Sequence, residues 1–215
     1  MKGKKEHTTS NKIADAIRMD INYGKLEPGK KLIEREIAEK YKTSHVPVRE
    51  ALRILEGEGF IVHEKFSGYS IKVIKAEEML EAFNILRFLA NELLKRAVHR
   101  YTEITFFHLN SIVDEMSDSR DLDKTVSLFV EFSEVAFAPA GLDYTNSLAV
   151  QLVHVNTPIL RRMIKETFNG KVPEDLHRVF IDLCQKKLYQ KAVENYMATF
   201  DKVTKAMVTL LGEKK

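Results

Sequence analysis

The sequence holds a single cysteine, Cys184. One thiol excludes an intrachain disulfide and any Cys-rich zinc module. Its place in an apolar helical pattern with Val179, Phe180 and Leu183 predicts a core side chain rather than a nucleophile. Also missing is any apolar run long enough to cross a bilayer. The opening MKGKKEHTTS is basic but lacks the apolar stretch a secretory signal needs, so a soluble, cytoplasmic protein with no membrane partner is expected. There is no nucleophile elbow, glycine-rich phosphate loop, H-E-x-x-H pair or closely spaced Cys/His cluster. His99, His108, His154 and His177 are scattered, and the carboxylates Asp121 and Asp123 sit in a polar loop. These absences argue against an enzyme. No internal repeat or low-complexity stretch is present.

What is there suffices for a sizeable core. The chain has 215 residues, 44% hydrophobic and 30% charged, enough for one large domain or two smaller ones. Its net charge of +3 is unevenly placed: residues 1–75 carry 16 Lys or Arg against 11 Asp or Glu, net +5, and residues 76–215 carry 18 against 20, net −2. A basic front end points to an anionic partner, although a solvated lysine-rich surface has the same composition.

Periodicity divides the chain in the same way. Residues 11–23 place Ile13, Ala16, Ile17 and Ile21 on one helical face after Ser10, a good N-cap, with Gly24 as a stop. Pro28 and Gly29 make a turn, after which Leu32, Ile37, Ala38 and Tyr41 repeat on a short second helix. Ser44 can cap a third helix, with Pro47 tolerated in its first turn, Val48, Ala51, Leu52 and Leu55 as its buried stripe, and Gly57 and Gly59 at its end. Two β-prone runs, 60–64 and 69–74, flank a turn at Lys65, Phe66, Ser67 and Gly68 and predict a hairpin wing. From Ala76 onward the pattern is helical, with breaks at Ala138–Gly141, Thr157–Pro158 and Asn169–Pro173. The expected fold is mainly α: a winged helix-turn-helix of three helices plus a β-hairpin over 1–75, with 1–10 a flexible tail, and an all-α bundle of six or seven helices over 76–215.

Helix, turn, helix and wing in that order can lay the third helix in the major groove of double-stranded DNA. His45, Arg49 and Arg53 recur at i, i+4 and i+8, opposite the apolar stripe, and so project outward. An arginine there can fork onto guanine or bind phosphate. Arg35 lies where the second helix would cross the backbone, and Lys30, Lys31, Lys42 and Lys65 can add phosphate contacts.

The run LEPGKKLIEREIAEKYKTSHVPVREALRILEGEGFI, followed by a wing containing Gly68, resembles the GntR family of transcription regulators. The resemblance covers roughly residues 11–74, and its most diagnostic part is Ser44 to Leu52, S-x-x-P-V-R-E-A-L. It implies that Arg35 and Arg49 are DNA-contacting arginines, that Gly68 is the wing-tip glycine, and that Ser44 and Pro47 belong to the same motif. His45 departs from the pattern, since arginine is usual there, and histidine is shorter and largely uncharged at neutral pH.

A helical domain behind such a head is similar to the FCD domain of the FadR subfamily, a bundle around an effector cavity. That resemblance implies a homodimer on a palindromic operator, acting as a repressor and answering to a small-molecule effector. It also implies a divalent metal held by one aspartate and three histidines in many members. Here those positions fall on Phe129, Ser133, His177 and Phe200, so only His177 is retained and no metal cofactor is expected. A remodelled site using His154 or Glu131 stays open. The substitutions favour a small apolar effector, or a carboxylate anchored by Arg87, in a pocket of Arg87, Phe129, Ser133, His177 and Phe200. The alternative is a cavity filled by its phenylalanines, with the domain serving only dimerisation or protein-partner binding.

Overall fold

Contacts divide the chain into two compact units, Met1–Ile74 and Lys75–Lys215. The computed structural model describes residues 8–22, 25–65, 67–166 and 175–212.

In the first unit, α1 (Thr9–Asn22), α2 (Glu34–Lys40) and α3 (His45–Gly57) precede a hairpin of β2 (Ile61–Glu64) and β3 (Gly68–Ile71). The helices form where their apolar residues repeat at turn spacing and converge. Ile13 and Ile17 of α1, Ile37 and Ala38 of α2, and Val48, Ala51, Leu52 and Leu55 of α3 are buried together with Ile61 and Ile71. Each larger aliphatic side chain buried in this way stabilises the unit by about 1.5–3 kcal/mol. Arg18 adds a two-point clamp from α1 to the end of α3, its Nε and Nη2 each donating to Glu58 at 2.9 Å.

Three local expectations change. Leu32 is not on α2: Lys31–Leu32 is a short strand, β1, pairing antiparallel with β3 through Lys31↔Ser70 and Leu32↔Tyr69, which gives the sheet order β1-β3-β2. A two-residue strand has too little alternation to announce itself. The turn before it is legible, because Gly29 sits at φ +81 and its N–H donates to the Ile71 carbonyl at 3.0 Å. Ser10 is not the cap of α1 but lies inside it, where its hydroxyl donates to Glu50 Oε2 on α3 at 2.6 Å. Residues 9 and 10 are therefore helix rather than tail. Finally, Ala14 and not Ala16 is the buried alanine of α1. Residues 1–7, the expected stop Gly24 and the wing residue Phe66 lie outside the described residues.

The second unit has seven α-helices among the described residues: α4 (Ala76–Ala97), α5 (Glu103–Asp118), α6 (Leu122–Phe137), α7 (Asp143–Val155), α8 (Thr157–Glu166), α9 (Asp175–Gln185) and α10 (Tyr189–Gly212). The break at Ala138–Gly141 is a single 3-10 turn ended by Gly141 at φ +68. Only Asn156 separates α7 from α8, and Pro158 sits in the first turn of α8, where its missing N–H costs nothing. The third expected break falls outside the described residues. Three further breaks occur at Val98–Thr102, Ser119–Asp121 and Lys186–Leu188. Two of them carry ordinary cap chemistry: Thr102 Oγ1 accepts from the Thr105 N–H at 3.2 Å, and Asp121 Oδ1 accepts from the Asp123 N–H at 2.8 Å. Helix α6 packs against α4, α5, α7 and α8, and its fully buried Phe132 and Phe137 sit in the common core with Leu93, Leu109, Met163 and Phe180.

Candidate DNA-binding surface and internal cavity

The outer face of α3 is built by the burial of its inner face. With Val48, Ala51, Leu52 and Leu55 all 0% exposed, helical geometry turns His45, Arg49 and Arg53 to solvent, and all three are exposed. Ser44 occupies the N-cap position, yet its side chain makes no cap hydrogen bond. Of the two N–H groups that a capping hydroxyl serves, the one on the third helical residue is missing here, because that residue is Pro47. The exposed Ser44 hydroxyl and the open N-terminal amides of α3 are thus available to an anion, where the helix dipole favours phosphate.

The neighbouring charges are arranged around this helix. Arg49 Nε donates to Glu34 Oε2 at 2.8 Å. Arg35, on α2, is strongly exposed and lies 3.8 Å from Glu39 in a solvated pair. Arg53 and His45 make no hydrogen bond or ion pair among the described residues. On the wing, Gly68 opens β3 at φ +80 with empty space around it, Glu64↔Gly68 closes the ladder, and Lys65 stands in the turn. Pro47 is half-buried and shapes the helix start rather than offering a polar contact. The sequence pattern did not single out Val46. It is 65% exposed beside His45. An apolar side chain there is off the core stripe, the one signal that could have marked it.

Phe129, Ser133, His177 and Phe200 come together in the second unit around a cavity of about 50 Å³, joined by Phe83, Asn156 and Tyr196 among others. The rings pack closely: Phe132 lies 4.3 Å and Phe129 5.4 Å from His177, and Phe83 lies 5.2 Å from Phe200. Burial without a polar partner pushes the His177 imidazole down to about 4, so it is neutral. Burial likewise raises the Tyr196 hydroxyl above its ordinary range, although a hydrogen bond with Ser133 acts the other way. Asn156, 5% exposed, gives its Nδ2 to the Leu152 carbonyl at 2.8 Å, but its Oδ1 has no partner. One imidazole, hydroxyls and an amide oxygen contain no carboxylate and no second imidazole, so this donor set does not fit a divalent ion. No group of three or more His, Cys, Asp or Glu able to hold one occurs among the described residues. His154 and Glu131 do not line the cavity.

Arg87 does not line the cavity either, contrary to expectation. It lies on the flank of α4 beside α10, where Nη2 pairs with Asp201 Oδ1 at 2.9 Å in an open groove of about 1080 Å³. The periodicity explains why: the core of α4 is Phe83, Leu86, Ala90, Leu93 and Leu94, and residue 87 falls at the edge of that stripe, on the side of α10.

The groups that could have carried catalysis have structural roles. The Cys184 thiol is 1% exposed and burial pushes it up to about 12, so it holds no thiolate to attack with. Asp121 caps α6, and Asp123 pairs with Arg161. His99 meets Tyr189 edge-on, and His108 lies beside Phe107.

A helix-turn-helix with a basic outer face and a hairpin wing, followed by an all-helical unit, defines a winged-helix transcription regulator rather than an enzyme. Residues 9–71 match the family described as bacterial regulatory proteins, gntR family. Over these residues the chain is similar to DNA-binding transcription regulators of GntR type. It is 24% identical over 209 residues to the gluconate operon transcriptional repressor of Bacillus subtilis, covering 91% of this chain and 84% of that one. Against the Nta operon transcriptional regulator of Aminobacter aminovorans it is 27% identical over 130 residues, 60% of this chain and 61% of the relative. The fold is similar to that of E. coli McbR/YncC, with a TM-score of 0.81 at 15% identity over 96% of this chain and 98% of that one. No helix among the described residues is long and apolar enough to cross a membrane.

Proposed function

We propose that the protein is a repressor that binds a palindromic operator as a homodimer, with a second unit of the FCD type found in the FadR subfamily. The observation that carries the operator reading is the exposed row of His45, Arg49 and Arg53 behind a wholly buried stripe. In this reading Arg49 and Arg53 face base edges, with His45 and Val46 at the entering end of α3. Ser44, Arg35 and Lys65 contact phosphates, and Gly68 lets the wing backbone approach the duplex. Selection from a random duplex pool tests this directly. A two-fold symmetric site is expected, with specific binding weakened by Arg49→Ala and shifted in preference by His45→Ala. Failure to enrich any sequence would sink the operator reading, and unchanged affinity and specificity in His45→Ala would remove that residue from it.

For the second unit, the cavity volume supports the filled-cavity reading. Ligand sites run to about 300–1,000 Å³, and about 50 Å³ holds a water or two. A specific observation favours an effector all the same, namely the orphaned Asn156 Oδ1 on the cavity wall. Such an effector is neutral, because no cation faces the cavity and His177 is uncharged, and it must displace Phe129 or Phe200 to enter. Native mass spectrometry of the purified protein separates the two: a bound organic mass supports an effector, and a bare dimer supports a domain that serves dimerisation.

A further inference from the structure

The outward face of α4 carries a stripe at alternating spacings of three and four residues: Glu81, Asn84 and Ile85, Phe88, Asn91 and Glu92, then Lys95. Glu81, Asn84, Ile85, Phe88 and Lys95 are exposed, and Phe88 is exposed to 67% although it is a large apolar ring. Beside this stripe runs the groove between α4 and α10, with Phe88, Asn91 and Lys95 on one wall and Leu188, Lys191, Glu194 and Met197 on the other.

The stripe is complementary to itself. Reversed about Phe88, Glu81 falls opposite Lys95 and Asn84 opposite Glu92, while Phe88 meets Phe88. The ends of the groove follow the same logic. The start of α4 is acidic, with Glu77, Glu78 and Glu81 all exposed, and the far end of the groove holds three lysines, Lys95, Lys187 and Lys191, against one glutamate, Glu194, with Lys95 3.1 Å from Glu92 of its own helix. Helix α5 also exposes two large apolar residues, Ile104 and Phe107, but it carries Glu103, Asp114, Glu115 and Asp118 and no lysine or arginine. A two-fold contact through α5 would set acid against acid.

We infer that two copies of this chain join through α4, antiparallel about a two-fold axis at Phe88, each α4 lying along the other copy's α4–α10 groove. The inference rests on the homodimer reading above and adds the surface that makes it. An isologous contact must present the same patch twice, and a stripe with opposite charges at equal distances from a central aromatic meets that condition. A helix of 22 residues is about 33 Å long, so it can present an interface of the usual size. A buried aromatic at the centre with polar residues at the rim is the arrangement that concentrates binding energy.

The test is sedimentation velocity on the full chain across a concentration series. Phe88→Asp is expected to raise the dimer dissociation constant at least about tenfold, as for loss of a central hot spot. Glu81→Lys and Lys95→Glu alone are each expected to raise it about fivefold, because symmetry repeats each contact. The double variant Glu81→Lys/Lys95→Glu is expected to return to within about twofold of wild type, since opposite charges again face each other. Phe88→Cys is expected to cross-link to itself under mild oxidation, while the buried Cys184 does not. A wild-type dimer that Phe88→Asp leaves intact, and whose Phe88→Cys form does not cross-link, overturns this surface while keeping the dimer. A wild-type monomer overturns both readings.

Discussion

Glu34 Oε2 stands 2.8 Å from Arg49 Nε, so the first residue of α2 holds the arginine at the middle of the exposed face of α3. A carboxylate at this point repels phosphate, but it also limits the rotamers of a side chain that must reach one position in a groove. Glu34→Gln is therefore expected to raise affinity for unrelated duplex and to narrow the ratio of specific to non-specific binding. Arg49→Ala should weaken operator binding by about 1–3 kcal/mol and flatten discrimination at one base pair. Fluorescence anisotropy at two salt concentrations checks both. Equal losses on operator and random duplex in Arg49→Ala would assign that arginine to phosphate instead.

Arg100 and Gly141 make a second pair of this kind, in the other unit. Arg100 Nη1 donates to the Ala140 carbonyl at 2.9 Å, and a Cβ on Gly141 would meet that same nitrogen at 2.6 Å. Gly141 is also at φ +68, where an L side chain costs about 1–2 kcal/mol. Gly59 has a similar φ of +79 but nothing within reach of a Cβ. Gly141→Ala should accordingly lower the unfolding free energy by about 2 kcal/mol, and Gly59→Ala by about half of that. Denaturant titration of the two variants decides it; equal losses would mean that Arg100 moves aside freely.

The first unit was legible because its elements are short, periodic and punctuated. The buried stripe of α3 was readable from Val48, Ala51, Leu52 and Leu55, and with it the outward face of His45, Arg49 and Arg53. Strand β1 was not, because Leu32 gains its buried place from pairing with Tyr69 of β3, a partner far away in sequence. In the second unit the helical period was clear but the direction of single side chains was not. Arg87 enters the pocket by likeness to a motif alone, whereas the structure sets it on the flank of α4, paired with Asp201 of α10. Asn156 left no pattern at all: it matters because α7 ends there and α8 begins, which carries its amide to the cavity wall.

Phe200 lets the cavity itself be tested. It is 8% exposed, packs on Phe83 and Tyr196, and takes up space next to a void of about 50 Å³. Phe200→Ala should cost about 3–5 kcal/mol. It should also enlarge the void toward the roughly 150 Å³ that admits benzene in an engineered core. Toluene is then expected to raise the melting temperature of the variant and not of the wild type. A variant indifferent to toluene would mean that neighbouring side chains collapse into the gap.

His177 gives the unit a predictable response to acid. Its ordinary value is near 6.5 and burial lowers it to about 4 in the folded chain. Between those values the unfolded chain binds the proton and the folded chain does not, so stability falls as pH falls. The neutral imidazole causes no loss above about pH 6.5, and by about pH 4 protonation of the unfolded state has removed about 3 kcal/mol. Carboxylates titrate in the same range, so the measurement is a difference between two proteins. Melting temperatures of wild type and His177→Gln from pH 7 to 4 should converge or cross as the pH drops, because the variant lacks this proton uptake. Parallel curves would mean that the imidazole is hydrated in the cavity and titrates near its ordinary value.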